Sequence, residues 1–176
     1  MRKLTLIFFL ISLCLTASCS KNESSETAAE LSNKLQTQSY STSGLDLEQL
    51  DINKDGKVDQ RIYSKNGVVQ YAVRDLNFDN IQDMTSFYEN GQLVRDEIDL
   101  DYDGICDVIV TYNNGVPVKK EFSTDFEGNR HGIQYFDTQG NRTEIHRDTN
   151  NDGMIDLIEY YHPNEEQPYK TEKKTI

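Results

Sequence analysis

From Gln60 onward, apolar and polar residues come in short strand-length runs rather than at the three-to-four spacing of a helix. RIYS, VVQYAV, TSFY and VIVTY are rich in β-branched and aromatic residues. Two kinds of punctuation alternate between the runs. One is the Asn-Gly pair of a two-residue hairpin, at Asn66-Gly67, Asn90-Gly91 and Asn114-Gly115, with Gly140 taking the fourth place. The other is an acidic nonapeptide: DINKDGKVD from Asp51, DLNFDNIQD from Asp75, DLDYDGICD from Asp99 and DTNNDGMID from Asp148. The pattern predicts a unit of acidic loop, strand, tight turn, strand.

The unit recurs at a fixed period. Asp51, Asp75 and Asp99 are 24 residues apart, and one further period reaches the degraded copy STDFEGNRH at Ser123. The next loop arrives one residue late, at Asp148, and Gly140 is late by the same step, which places the extra residue in the fourth hairpin. Such self-similarity means stacked supersecondary units. The expected fold is all-β: an antiparallel meander, or solenoid-like stack, of β-hairpin repeats. Hairpin turns should lie along one edge and acidic loops along the other. The aromatics before each turn (Tyr63, Phe87 with Tyr88, Tyr112, Tyr135 with Phe136, Tyr160 with Tyr161) read as packing columns on the sheet. Pro117, in a returning strand, calls for a bulge or a locally exposed edge.

The two ends read differently. Arg2 and Lys3 precede the short apolar run Leu4 to Leu15, then Thr16, Ala17 and Ser18 lead to Cys19. This is an export signal, too short to span a bilayer. It resembles a bacterial lipoprotein signal peptide over residues 1–18, which implies acylation of Cys19 (palmitate among the chains) and a membrane anchor without a spanning helix. The other reading is a secretory signal cleaved near Ser18. Ser20 after the cysteine, by the same resemblance, implies outer-membrane sorting within the bacterial cell envelope. Residues 19–44, polar and Ser/Thr-rich, are expected to be a flexible tether; 45–162 the repeat domain; 163–176 a frayed tail.

Composition narrows the functions. Thirty acidic against 18 basic residues give a net charge of −12, a surface that repels nucleic acid and anionic lipid headgroups and argues against either as a partner. A hydrophobic content of 36% suits a thin sheet better than a deep core. Cys106 is the one cysteine inside the repeats, so no intrachain disulfide staples them. It occupies loop position 8, as Val58 and Ile155 do elsewhere, and reads as an apolar filler. No nucleophile motif, zinc spacing or phosphate-binding glycine loop is present, and the expectation is that the protein is not an enzyme; an envelope hydrolase is the remotest alternative.

The loops carry the chemistry. Oxygen side chains at positions 1, 3, 5 and 9, with Gly or Asn at position 6, are spaced to wrap a hard cation. Candidate ligands are Asp51, Asn53, Asp55, Lys57 (carbonyl) and Asp59; Asp75, Asn77, Asp79, Ile81 (carbonyl) and Asp83; Asp99, Asp101, Asp103, Ile105 (carbonyl) and Asp107; and Asp148, Asn150, Asp152, Met154 (carbonyl), Asp156 and Glu159. They resemble EF-hand and dockerin calcium loops, which implies Ca²⁺ as the cofactor. The last loop matches that pattern through its twelfth position, so Glu159 is the expected bidentate ligand and this loop the expected tightest site. Ile62, Ser86 and Val110 stand at that position elsewhere, where water, Asp96 or Glu97 would have to fill in, and affinities of about 10⁻⁴ to 10⁻³ M follow. The competing reading is a set of solvated turns without metal. The hairpins also resemble MORN-type repeats through the aromatic–Asn-Gly spacing, with no function carried over. The functional expectation is a membrane-anchored, calcium-binding β-repeat lipoprotein with a structural or interaction role, or else a calcium-dependent module capturing a protein or glycan.

Overall fold

A computed structural model describes residues 34–174; the leader, Cys19 and the first part of the expected tether lie outside the described residues. Eleven strands follow one another: β1 (Asp46–Leu50), β2 (Gln60–Lys65), β3 (Val68–Arg74), β4 (Met84–Glu89), β5 (Gln92–Ile98), β6 (Val108–Asn113), β7 (Val116–Phe122), β8 (Gly132–Phe136), β9 (Arg142–Arg147), β10 (Leu157–Tyr160) and β11 (Lys170–Lys173). Each pairs antiparallel with the next, so the sheet order is the chain order, and there is no helix among the described residues. The sheet stays open, with β1 and β11 at its two edges. Acidic loops line one edge and hairpin turns the other, as the sequence pattern predicts.

Local chemistry fixes the turns. Asn66, Asn90 and Asn114 have φ of 52°, 51° and 51°, each followed by a glycine with positive φ, which is the backbone of a turn that matches strand twist. One extra residue sits just beyond each turn. The register slips after Tyr63, Phe87, Thr111 and Tyr135, leaving Gln70, Val94, Val118 and Thr143 as the bulged residues. Pro117 therefore lies beside a bulge that every repeat shares. In the fourth hairpin Asp137 closes a longer turn by accepting hydrogen bonds from the amides of Gln139 and Asn141, which absorbs the additional residue.

Burial is thin and columnar. Tyr71, Val73 and Phe87 form the main cluster, with Leu45, Tyr63 and Val94 against it. Tyr63 stacks on Tyr71 at 4.5 Å between ring centroids. Residues 34–44 correct the tether expectation, because they run back across this face. Leu35 is buried and its amide donates to the Gly128 carbonyl at 2.8 Å. The Gln38 amide donates to Glu97 at 2.7 Å, and Tyr40 packs on Tyr71 and Phe87. The tail expectation is corrected as well: Lys170–Lys173 pair with β10 as an exposed edge strand. That segment is held by ladder bonds and by Tyr169 stacking on His162, not by apolar burial, so its hydropathy gave no sign of it.

Candidate metal centre

The four acidic loops and the degraded copy share one backbone. Position 6 has positive φ throughout (Gly56, Asn80, Gly104, Gly128, Gly153), and so does position 4, occupied by Lys54, Phe78, Tyr102, Phe126 and Asn151. Each loop is closed by its position-9 amide donating to the residue before position 1, for example Asp107 N to Ile98 O at 2.9 Å. Neighbouring loops are also stitched together. The amides of Asp75, Asp99, Ser123 and Asp148 donate to the carbonyls of Asp59, Asp83, Asp107 and His131 at 2.8–2.9 Å, so the loops advance with the strands.

Inside each loop, side-chain oxygens gather backbone amides. Asp51 accepts from Asp55 and Gly56, Asp75 from Phe78, Asp79 and Asn80, Asp99 from Tyr102 and Gly104, and Asp148 from Asp152 and Gly153. The position-7 amides of Lys57, Ile81, Ile105 and Met154 donate to Asp55, Asp79, Asp103 and Asp152. One oxygen of each position-9 carboxylate, in Asp59, Asp83 and Asp107, accepts from the amide at position 2. These bonds position oxygens while using only part of their lone pairs.

The loops differ in what is left over. In three of them the position-3 amide group of Asn53, Asn77 or Asn150 donates to the position-5 carboxylate, at 3.2, 2.9 and 2.9 Å. The third loop has Asp101 in that place, an acceptor only, and no such relief. Asp99, Asp101 and Asp107 bring one carboxylate oxygen each within 4.8 Å of the others, the one acidic cluster of this kind among the described residues, and it could hold a metal ion. Asp107 has no exposed surface, and its Oδ1 is buried without a hydrogen-bond partner; Asp83 Oδ1, one loop earlier, is in the same condition. Burial and the neighbouring charge of Asp99 and Asp103 push the Asp107 carboxyl above its ordinary range. Burial, Asp103, Asp107 and Asp99 push Asp101 in the same direction.

The last loop, expected to be the tightest, is the most self-satisfied. Thr149 donates its amide to Asp156 Oδ1 at 3.1 Å and its hydroxyl to Oδ2 at 2.7 Å, filling both position-9 oxygens. The equivalent residues Ile52, Leu76 and Leu100 have no hydroxyl to give. Glu159, the expected bidentate ligand, lies in β10 and is taken by Arg147 Nε at 2.8 Å and the Tyr161 hydroxyl at 3.1 Å. The proposed substitutes are also committed elsewhere. Asp96 accepts from Ser86 and Tyr112, and Glu97 pairs with Arg95 and the Gln38 amide.

The degraded loop shows how the same backbone closes with a neutral acceptor in place of the position-9 carboxylate. His131 Nδ1 accepts the Thr124 amide at 3.1 Å, where the acidic loops use position-9 aspartates. Ser123 and Asn129 donate to Asp125, and Lys34 Nζ donates to the Glu127 carbonyl at 2.6 Å. Burial raises the Asp125 carboxyl, but the bonds from Asn129, the Glu127 amide and Ser123 outweigh it and hold the group at about 2. Cys106 is half-buried, its thiol pushed up to about 11 by burial, which fits a filler and not a nucleophile.

No family model matches the chain, and neither does any curated protein. Among solved structures it is similar to a Glycosylation Associate Protein complex from Streptococcus agalactiae, with 16% identity and a TM-score of 0.46 over 61% of this chain and 19% of that one. A structure of accessory secretory proteins 1, 2 and 3 of Streptococcus pneumoniae gives 14% identity and a TM-score of 0.46 over 64% and 21%. The crystal structure of TarM gives 12% and 0.42 over 60% and 20%. The chain spans about a fifth of the length of each.

Proposed function

We propose that this is a calcium-binding β-repeat protein, anchored to the bacterial envelope through Cys19, whose loops take up Ca²⁺ to hold the hairpin stack together. The observation that carries the metal reading is the buried, unpartnered Oδ1 of Asp107, a carboxylate that brings one oxygen within 4.8 Å of oxygens of Asp99 and Asp101. A fully buried carboxylate oxygen without a donor is costly, and a cation removes that cost together with the mutual repulsion of the three acids. All-oxygen ligands on a short loop suit Ca²⁺ better than Mg²⁺, which demands a near-ideal octahedron and dehydrates reluctantly. The third loop leads, and the second follows because Asp83 Oδ1 is buried without a partner even though Asn77 supplies a donor to Asp79; the first and last bind more weakly, having no such unpartnered oxygen and, in the last, a donor from Thr149 to each oxygen of Asp156. The role this supports is structural or adhesive, and neither reading requires a catalytic group.

Terbium tests the ranking, because Tyr102 lies within the third loop and would sensitise a lanthanide bound there. Excitation of tyrosine should give terbium emission that Ca²⁺ competes away. Asp107→Asn should lose most of that signal and Asp156→Asn should keep it. Equal signals from both variants would remove the third loop from the lead.

A further inference from the structure

The loop edge carries a second feature that cation binding does not use. Leu76, Phe78, Leu100, Tyr102, Ile105 and Phe126 all project from adjacent loops, each 41–51% exposed. Phe78, Tyr102 and Phe126 share position 4, with φ of 65°, 67° and 59°. Asn adopts that left-handed backbone more readily than an aromatic residue, and Asn151 does so at the same position of the last loop. The loop therefore folds without an aromatic there, and the three central loops place apolar rings at a strained position while leaving them exposed. Large exposed apolar side chains gathered on one edge mark a contact surface.

The path of the chain indicates what the surface meets. Lys34 bridges to Asn129 and reaches the Glu127 carbonyl, so the chain is held to the sheet at this same edge at that point. Lys34 follows Cys19 by fifteen positions, a reach of at most about 50 Å. We propose that the loop edge docks on a phospholipid surface, with the position-4 rings and their aliphatic neighbours entering the interfacial layer and loop-bound Ca²⁺ bridging the carboxylates to lipid phosphates. This rests on the calcium and anchor readings above. The bridging cation is what the charge demands, since bare aspartate loops would be repelled by anionic headgroups.

The chain has no tryptophan, so single reporters are clean. Full-length protein carrying Cys19→Ser, to remove the acyl chains, would be given either Tyr102→Trp at the loop edge or Tyr88→Trp at the turn edge. Each is mixed with phosphatidylglycerol vesicles bearing brominated acyl chains, with 1 mM Ca²⁺ or with chelator. The expected result is quenching at position 102 at least about threefold stronger than at 88, lost in chelator and lost with Phe78→Ser plus Phe126→Ser. The leader can bring the chain to lipid but cannot produce that dependence on the ring variants. No quenching at 102, in protein shown by calorimetry to take up Ca²⁺, overturns the docking and leaves the cation reading standing. Equal quenching at both positions, or quenching that survives chelator, overturns it too. Burial of the reporter in Ca²⁺ without lipid, with a doubled sedimentation mass, overturns it in favour of a second copy of the chain. Absence of both Ca²⁺ uptake and quenching removes the two readings together.

Discussion

At the scale of single residues, the difference between an ion site and a plain turn comes down to which lone pairs already have donors. Thr149 and Asn150 quiet the last loop, and Ser123, Asn129 and Lys34 quiet the degraded one; Leu100 and Asp101 leave the third loop unquieted. Asp107→Asn should therefore act in opposite directions. In chelator it should stabilise by about 1 kcal/mol, since a buried unpartnered acceptor gives way to an amide that can donate to its neighbours. With Ca²⁺ at ten times its dissociation constant, the original protein should gain about 1.4 kcal/mol per site and the variant should lose that gain at this loop. Urea melts of both proteins in both media read the two signs, and a loss of stability in chelator would count against the crowded-carboxylate account. Asp125 gives a pH test away from the ions. Its folded value of about 2 lies below the ordinary 3.8, so its stabilisation is present above about 3.8 and is lost as pH falls toward 2. Asp125→Asn should flatten that part of the acid limb in melts between pH 4 and 2; an unchanged limb would mean the bonds from Asn129 and Ser123 do not persist in solution.

At the scale of elements, the hairpins were legible in the sequence and the loops only half so. Asn-Gly pairs, a fixed period and the late Gly140 gave strand order, turn type and the place of the extra residue, because two-residue turns depend on local backbone preference alone. The shared left-handed position 4 was missed, since Lys, Phe and Tyr do not advertise positive φ. The proposed rank of the loops departs from the one the motif implies, for a related reason. A twelve-position motif counts oxygens, whereas affinity depends on whether those oxygens are already bonded, and Arg147, which claims Glu159, is distant in pattern but reaches it diagonally across the β9–β10 ladder. Thr149 could have been noticed as the one hydroxyl at position 2 among the four acidic loops. If position 4 is strained as described, Phe126→Asn should raise stability by about 1 kcal/mol in thermal or urea melts. A destabilised variant would show that the ring packs for the fold and not for a partner.

At the scale of the whole molecule, an open sheet with little apolar interior must find its cohesion along its edges. The loop edge offers an unbroken set of inter-loop backbone bonds, a strap from Lys34 to Tyr40 tied to Gly128, Arg95, Glu97 and Gln82, and two buried carboxylate oxygens, on Asp83 and Asp107, without a hydrogen-bond partner. The strap was unreadable in the sequence because its anchors are single residues, Leu35 and Tyr40, in a polar stretch whose weak helical spacing of Ala28, Leu31 and Leu35 does not point to a strap. Two ions at ten times their dissociation constants would add roughly 3 kcal/mol, a sizeable share of what holds a domain of this size folded. Calorimetric titration of the full chain with Ca²⁺ tests this most directly. The account predicts saturable uptake of at least two ions per chain below millimolar or millimolar free Ca²⁺, with the first two lost in protein carrying Asp83→Asn and Asp107→Asn. A chain that takes up no Ca²⁺ at millimolar concentration, and unfolds at the same urea concentration with and without it, would contradict the account.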